Sequence, residues 1–251
     1  FNKLFKSLKK IPKLFIKMPL IQKLLVLLII AFVVTSYSFN KQEGFEQSAA
    51  FIVKKGNEVY DDFYCSIYDD LVYDEVKNDY EVVHLKRVGK IDENSVVIDV
   101  GCGRGHHVGH YNKIGVEATG LDISPSMIKL AKQEYPECNF KLGDALDSSN
   151  FQHNGASHIL CLYFTIYSIE DKARFFKNCF DWLKPGGKLI VHLVNRDKFD
   201  PIINSANPLT LVNAQKYAKE RLTKSIVKFK DFLYKATYSP DNENDNAYFY
   251  E

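Results

Sequence analysis

The rhythm of hydrophobic and polar residues changes several times along this chain, and each change predicts an element. In residues 1–23, Leu4, Phe5, Leu8, Ile11 and Phe15 recur at helical spacing with lysines interleaved. Residues 24–39 form a run of sixteen without a charge, purely apolar as far as Val34. Residues 40–57 are polar, contain Gly44 and Gly56 and keep no period, which predicts a linker. Beyond it, strand and helix patterns alternate. Val96, Val97, Ile98 and Val100 are β-branched and do not alternate with polar residues, as in a strand covered on both faces of a parallel sheet. Further strands are predicted over 116–123, 139–142, 157–163 and 188–194, and helices over 78–88, from Pro125 onward, and over 171–183. Residues 198–213 read as an insertion, followed by a helix to about Thr223. An imperfect strand-like alternation follows at Val227, Phe229, Phe232 and Tyr234, then a polar turn at 241–246 and the start of another strand at Ala247. Residues 58–251 suffice for one α/β core.

Charge divides the chain differently. The formal net charge is +2, but residues 1–23 hold seven lysines and no acid. With seven of the 33 bases there, the remainder has 26 bases against 31 acids, about −5. A basic amphipathic stretch followed by an apolar one predicts a membrane anchor over 1–39. A cleaved signal peptide has the same layout, but no small-x-small site follows. Five scattered cysteines, an odd number, fit a reduced compartment, so the expected anchor lies in the membrane plane, or spans it against the usual charge rule, with the domain facing the cytosol. A mildly acidic domain without a basic stripe disfavours nucleic acid. No pair of potential metal ligands is backed by a second pair, so no metal is expected.

The candidate chemistry lies at strand ends. Asp99 closes the first strand and runs into Gly101-Cys102-Gly103-Arg104-Gly105. Gly101 and Gly103 let the main chain approach a ligand closely. A carboxylate there opposes a pyrophosphate and suits an ammonium, and the glycines are closer together than in a nicotinamide fingerprint. Asp122 ends the second strand nineteen residues beyond Gly103, the distance at which a carboxylate meets ribose hydroxyls. It could equally cap the helix at Pro125. Asp144 follows the third strand, as a third acid on the same edge or as an ordinary turn residue.

In order and spacing, Asp99-Val100-Gly101-Cys102-Gly103-Arg104-Gly105, Gly120-Leu121-Asp122-Ile123-Ser124, Gly143-Asp144-Ala145 and Trp182-Leu183-Lys184-Pro185-Gly186-Gly187-Lys188-Leu189 resemble the class I S-adenosylmethionine-dependent methyltransferases. The resemblance covers about residues 60–195. It implies a doubly wound, mostly parallel sheet of seven strands with S-adenosylmethionine as cofactor. The glycine turn, including Gly105, would lie under the methionine moiety, Asp122 on the ribose hydroxyls beside Ile123, and Asp144 with Ala145 near the adenine amino group. Tyr68, with Tyr64 close behind, would line the site from the tyrosine-rich segment 60–71. Cys102 and Cys161 would line it as small apolar residues without thiol chemistry. The acceptor would be a small molecule or a protein side chain.

The acceptor end is less clear. Tyr163 ends the fourth strand, and His192, on the fifth, is the favoured candidate for a general base; His106 and His107 follow the glycine turn. Ser157 stands where many such enzymes carry an acid. Two alternatives stay open: a nicotinamide-dependent oxidoreductase, disfavoured by Asp99 and the glycine spacing, and an inactive cofactor-binding scaffold, for which Ser157 and the incomplete last strand speak.

Overall fold

The structure, a computed structural model, describes residues 19–23, 25, 26, 28, 29, 54, 56–195, 220, 222–241 and 246–250. The chain divides into two compact units, residues 1–53 and 54–251. In the first, residues 20–23, 25, 26, 28 and 29 are helical, and the Lys23 N–H bonds to the Pro19 carbonyl at 3.1 Å. No helix among the described residues is long and apolar enough to cross a membrane. Most of the expected anchor and linker lies outside the described residues.

The second unit opens with two capped helices. Asp61 accepts from the Tyr64 N–H to start α1 (Asp62–Val72), and Asp74 accepts from the Lys77 N–H to start α2 (Glu75–Gly89). Then strands and helices alternate as β1 (Val96–Val100), α3 (His106–Lys113), β2 (Glu117–Asp122), α4 (Pro125–Glu134), β3 (Asn139–Leu142), β4 (Ala156–Cys161), α5 (Thr165–Ser168), α6 (Lys172–Trp182) and β5 (Leu183–Val191). Ser124 caps α4 with Pro125 in its first turn. The five strands pair in parallel in the order β3-β2-β1-β4-β5. Successive residues of β1 feed opposite cores: Val97 packs with Val108, Tyr111 and Leu160, Ile98 with Ile159, Phe175 and Trp182. That is why the strand is apolar without alternation.

Two expectations need correction. Among the described residues the sheet has five strands rather than seven. The strands after it, β6 (Lys224–Lys228), β7 (Leu233–Asp241) and β8 (Asn246–Tyr250), form a separate antiparallel sheet. Their alternate residues Tyr234 and Ala236 are buried against Ile67 and Leu71 of α1 rather than against β5. The insertion and helix expected over 198–223 fall almost wholly outside the described residues. The second correction concerns Pro185-Gly186-Gly187, which was expected to separate helix from strand. Instead β5 begins at Leu183, opposite Ala156, and the next pair is His158 with Lys188, so residues 184–187 bulge out between the two pairings with Gly186 at φ +79°.

Candidate functional site

Parallel strands bring all their carboxyl ends to one edge, and the order reverses beside β1, where such sheets leave a crevice. A cavity of about 440 Å³ opens there. Its floor is the turn after β1. The Gly101 and Cys102 N–H groups both donate to the Leu121 carbonyl, at 2.7 and 3.1 Å, tying the turn to β2. Gly101 sits at φ +71°, and a Cβ there would come within 2.4 Å of Thr165 Oγ1. Gly103 also has positive φ, yet a Cβ would meet nothing within 4 Å. The first glycine is demanded by packing, the second by backbone angle beside open space.

Asp99 forms part of the cavity wall and is 3% exposed, and no hydrogen bond to its carboxyl occurs among the described residues. Burial, reinforced by the Asp122 charge and only partly offset by His107, lifts its pKa from 3.8 to about 6. Asp122 does two jobs at once. Oδ2 accepts from the Gly103 N–H at 2.9 Å and Oδ1 from the Ser124 N–H at 2.8 Å, so it pins the glycine turn and the start of α4. Burial raises its pKa while these N–H groups pull it back. Asp122 is therefore not the cap of α4; Ser124 is. Asp144 accepts from the Leu146 N–H, and Asn178 holds the Ala145 carbonyl at 2.9 Å, which shapes the far end of the cavity.

A roof comes from the segment before the sheet. The Ser124 hydroxyl donates to the Tyr60 carbonyl at 2.7 Å. Arg104 pairs with Asp69 of α1 at 2.7 Å and with Glu134 of α4 at 2.9 Å. His106, stacked on Tyr73 at 3.9 Å between ring centres, reaches Asp69 and the Tyr135 hydroxyl. These contacts hold α1 against the glycine turn, with Tyr60, Tyr68 and Tyr73 lining the cavity.

Most residues singled out from sequence meet at this cavity: Tyr68, Asp99, Gly101, Cys102, Gly103, Asp122, Ile123, Asp144, Ala145 and Tyr163 all line it. Three do not. Gly105 is buried behind the turn, where a Cβ would strike Phe140. Cys161 is fully buried in the core with Ile98 and Trp182, and its thiol is pushed up to about 12 by burial. Its pointing away follows from β4 burying both faces. His192 lies just past β5, exposed and outside the cavity lining, its ring 6.1 Å from that of Tyr163. The strand stops at Val191 because β4 stops at Cys161, its partner. His107 and Glu81, by contrast, are drawn in. His107 is buried and lines the cavity, with Glu81 Oε2 at 3.5 Å from Nε2. Ser157 is at the opposite end of β4, where its hydroxyl bonds both main-chain groups of Val96 and His158 Nδ1. It belongs to the sheet, not to the site.

The model of the family described as a methyltransferase domain matches residues 97–187, from the first strand through the Pro-Gly-Gly bulge. Over those residues the chain is similar to methyltransferase domains. It is 26% identical over 141 residues to the ubiquinone biosynthesis O-methyltransferase of Xanthomonas euvesicatoria pv. vesicatoria (strain 85-10), covering 55% of this chain and 56% of that protein. It is 31% identical over 107 residues to the phosphoethanolamine N-methyltransferase of Plasmodium falciparum, covering 41% and 40%. The chain spans about half the length of the curated relatives it matches. Among solved structures, the PH0226 protein from Pyrococcus horikoshii OT3 superposes with a TM-score of 0.47 at 23% identity, covering 55% of this chain and 64% of that one. The site's own chemistry suits a methyltransferase cofactor: a buried carboxyl in the wall with no hydrogen bond among the described residues, open space beside Gly103, and a second carboxylate already oriented by the main chain.

Proposed function

We propose that this chain transfers the methyl group of S-adenosylmethionine to a small-molecule acceptor. The observation that carries this reading is the buried Asp99 carboxyl, without a hydrogen bond among the described residues, facing a cavity whose size falls in the small-ligand range. A desolvated carboxylate of that kind is neutralised by an ammonium, such as the amino-acid end of the cofactor. In this reading Gly101, Cys102 and Gly103 pass beneath that end, and Asp122 turns its remaining lone pairs to the ribose hydroxyls. Ile123, 40% exposed beside Asp122, covers one face of the base, and Asp144 and Ala145 meet its edge. Tyr68 and Tyr163 stand on the acceptor side. The cofactor supplies a methyl on a sulfonium primed to leave, so the protein's work is alignment and exclusion of water. The relatives' names include an O- and an N-methyltransferase, which supports a hydroxyl or amine acceptor over a carbon.

Residues 1–39, with seven lysines and no acid before Glu43, support a tether lying on anionic lipid with the domain on the cytosolic side. An in-plane tether needs no spanning helix. Two experiments test these readings. Methyl-labelled cofactor with a panel of phenols and amines should give a labelled product, and an unlabelled panel with the cofactor demonstrably bound would refute the activity. Protease added to sealed vesicles should digest the domain; a protected domain would refute the orientation.

A further inference from the structure

On one wall of the cavity, α2, α3 and the end of β4 bring together a carboxylate, an imidazole and a phenol. His107 is 6% exposed, and its Nε2 is sealed from solvent without a hydrogen bond. Glu81 Oε2 stands 3.5 Å from that nitrogen and accepts a 2.8 Å bond from the Tyr163 hydroxyl. Tyr163 holds φ +50°, a conformation rare for a residue with a side chain and one that accumulates where a group must be kept in place. Lys77 Nζ lies 3.7 Å from the other Glu81 oxygen and 4.0 Å from the centre of the Tyr163 ring. Burial pushes the Glu81 carboxyl up, but His107, Lys77 and Tyr163 together hold it below its usual range, so it is ionised at neutral pH. The charged and titratable groups facing His107 are thus Lys77 and Glu81 from α2, Tyr163 beyond β4, and Asp99 from β1.

Resting on the methyl-transfer reading above, we propose that His107 is the general base that removes the acceptor's proton, that Glu81 positions it, and that the acceptor is therefore a hydroxyl compound. With its proton on Nε2 the imidazole donates toward Glu81 and leaves Nδ1 as the basic nitrogen. The acceptor's O–H bond breaks and its proton goes to Nδ1. The oxygen's electron pair forms the new bond to the methyl carbon, and the carbon–sulfur bond breaks with its pair on sulfur, which becomes a neutral thioether. Glu81 stabilises the imidazolium until it returns its proton to water. A neutral amine attacks through a lone pair it already has, whereas a hydroxyl gains most from losing its proton first, and that is what this pair supplies.

The test compares the full chain with H107Q and E81Q. All three should bind S-adenosylhomocysteine with Kd values within about threefold, because neither residue is placed on the cofactor. Nitrogen NMR of histidine-labelled protein should find the His107 proton on Nε2 at high pH. In tritium transfer to catechol, H107Q should be at least about 100-fold slower with a KM for catechol near that of the parent. E81Q should keep partial activity and move the rise of its pH profile down by about one unit. A proton on Nδ1 or undiminished transfer by H107Q would overturn the assignment. So would transfer to phosphoethanolamine but not catechol, or transfer to neither with S-adenosylhomocysteine bound. Failure of the parent chain to bind S-adenosylhomocysteine would be a different result, overturning the methyltransferase reading itself.

Discussion

Replacing Asp99 by Asn should stabilise the ligand-free protein and at the same time ruin its binding site. The residue is only 3% exposed, and its pKa is about 6 in the folded chain against 3.8 as an ordinary carboxyl. A folded-state value above the unfolded one means that ionisation favours unfolding. The destabilisation is absent below about pH 4, grows as the pH rises through the two values, and is complete above about 6. At about 1.4 kcal/mol per unit it amounts to about 1.5 kcal/mol at pH 5 and about 3 kcal/mol at pH 7. Asn keeps the shape and never ionises, so D99N should exceed the parent by about those amounts and nearly match it at pH 4. Urea unfolding at pH 4, 5 and 7, followed by the fluorescence of the one tryptophan, buried Trp182, measures this directly. The same change removes the charge proposed to receive an ammonium and should weaken S-adenosylhomocysteine by at least about tenfold at pH 7. If the stability gain of D99N did not grow between pH 4 and pH 7, Asp99 would have to be solvated or paired, and the reasoning would fail.

Three further substitutions separate packing from binding. Gly101→Ala drives a Cβ to 2.4 Å from Thr165, so it should lower Tm more than it changes affinity for S-adenosylhomocysteine. Gly103→Ala meets no atom within 4 Å, so it should cost only about 1–2 kcal/mol of backbone strain while weakening S-adenosylhomocysteine by tenfold or more, as scanning and titration calorimetry would reveal. Ser157→Ala removes hydrogen bonds to Val96 and His158 at the far edge of the sheet. It should cost about 1–3 kcal/mol in urea and leave Kd unchanged; a weakened Kd would contradict its placement.

The parallel strands and most of the cavity floor were legible because each rests on a local rule. A non-alternating aliphatic run needs cover on both faces, and acids at the ends of parallel strands must share an edge; Asp99, Asp122 and Asp144 do. The destination of the last strands was not legible. Alternation at Tyr234 and Ala236 says that one face is buried, not that α1 rather than β5 buries it. The position of His192 outside the cavity lining was not legible for a related reason. His192 was judged by an expected strand to Val194, but pairing ends at Val191 because β4 is shorter. His107 gains its place from Glu81 and Tyr163, 26 residues before it and 56 after it, and no spacing in the sequence announces that. Ser157, which had favoured an inactive scaffold, loses that weight by lying at the wrong end of its strand.

The most direct test of the central claim is calorimetric titration of the full chain with S-adenosylhomocysteine, with NAD in parallel and Asp122→Ala as control. Asp122 pins the Gly103 N–H and the start of α4 and is proposed to face the ribose. Micromolar binding of S-adenosylhomocysteine, none of NAD, and loss of binding in the folded Asp122→Ala variant are the predicted results. Absence of S-adenosylhomocysteine binding by the folded parent, or preference for NAD, would contradict the account.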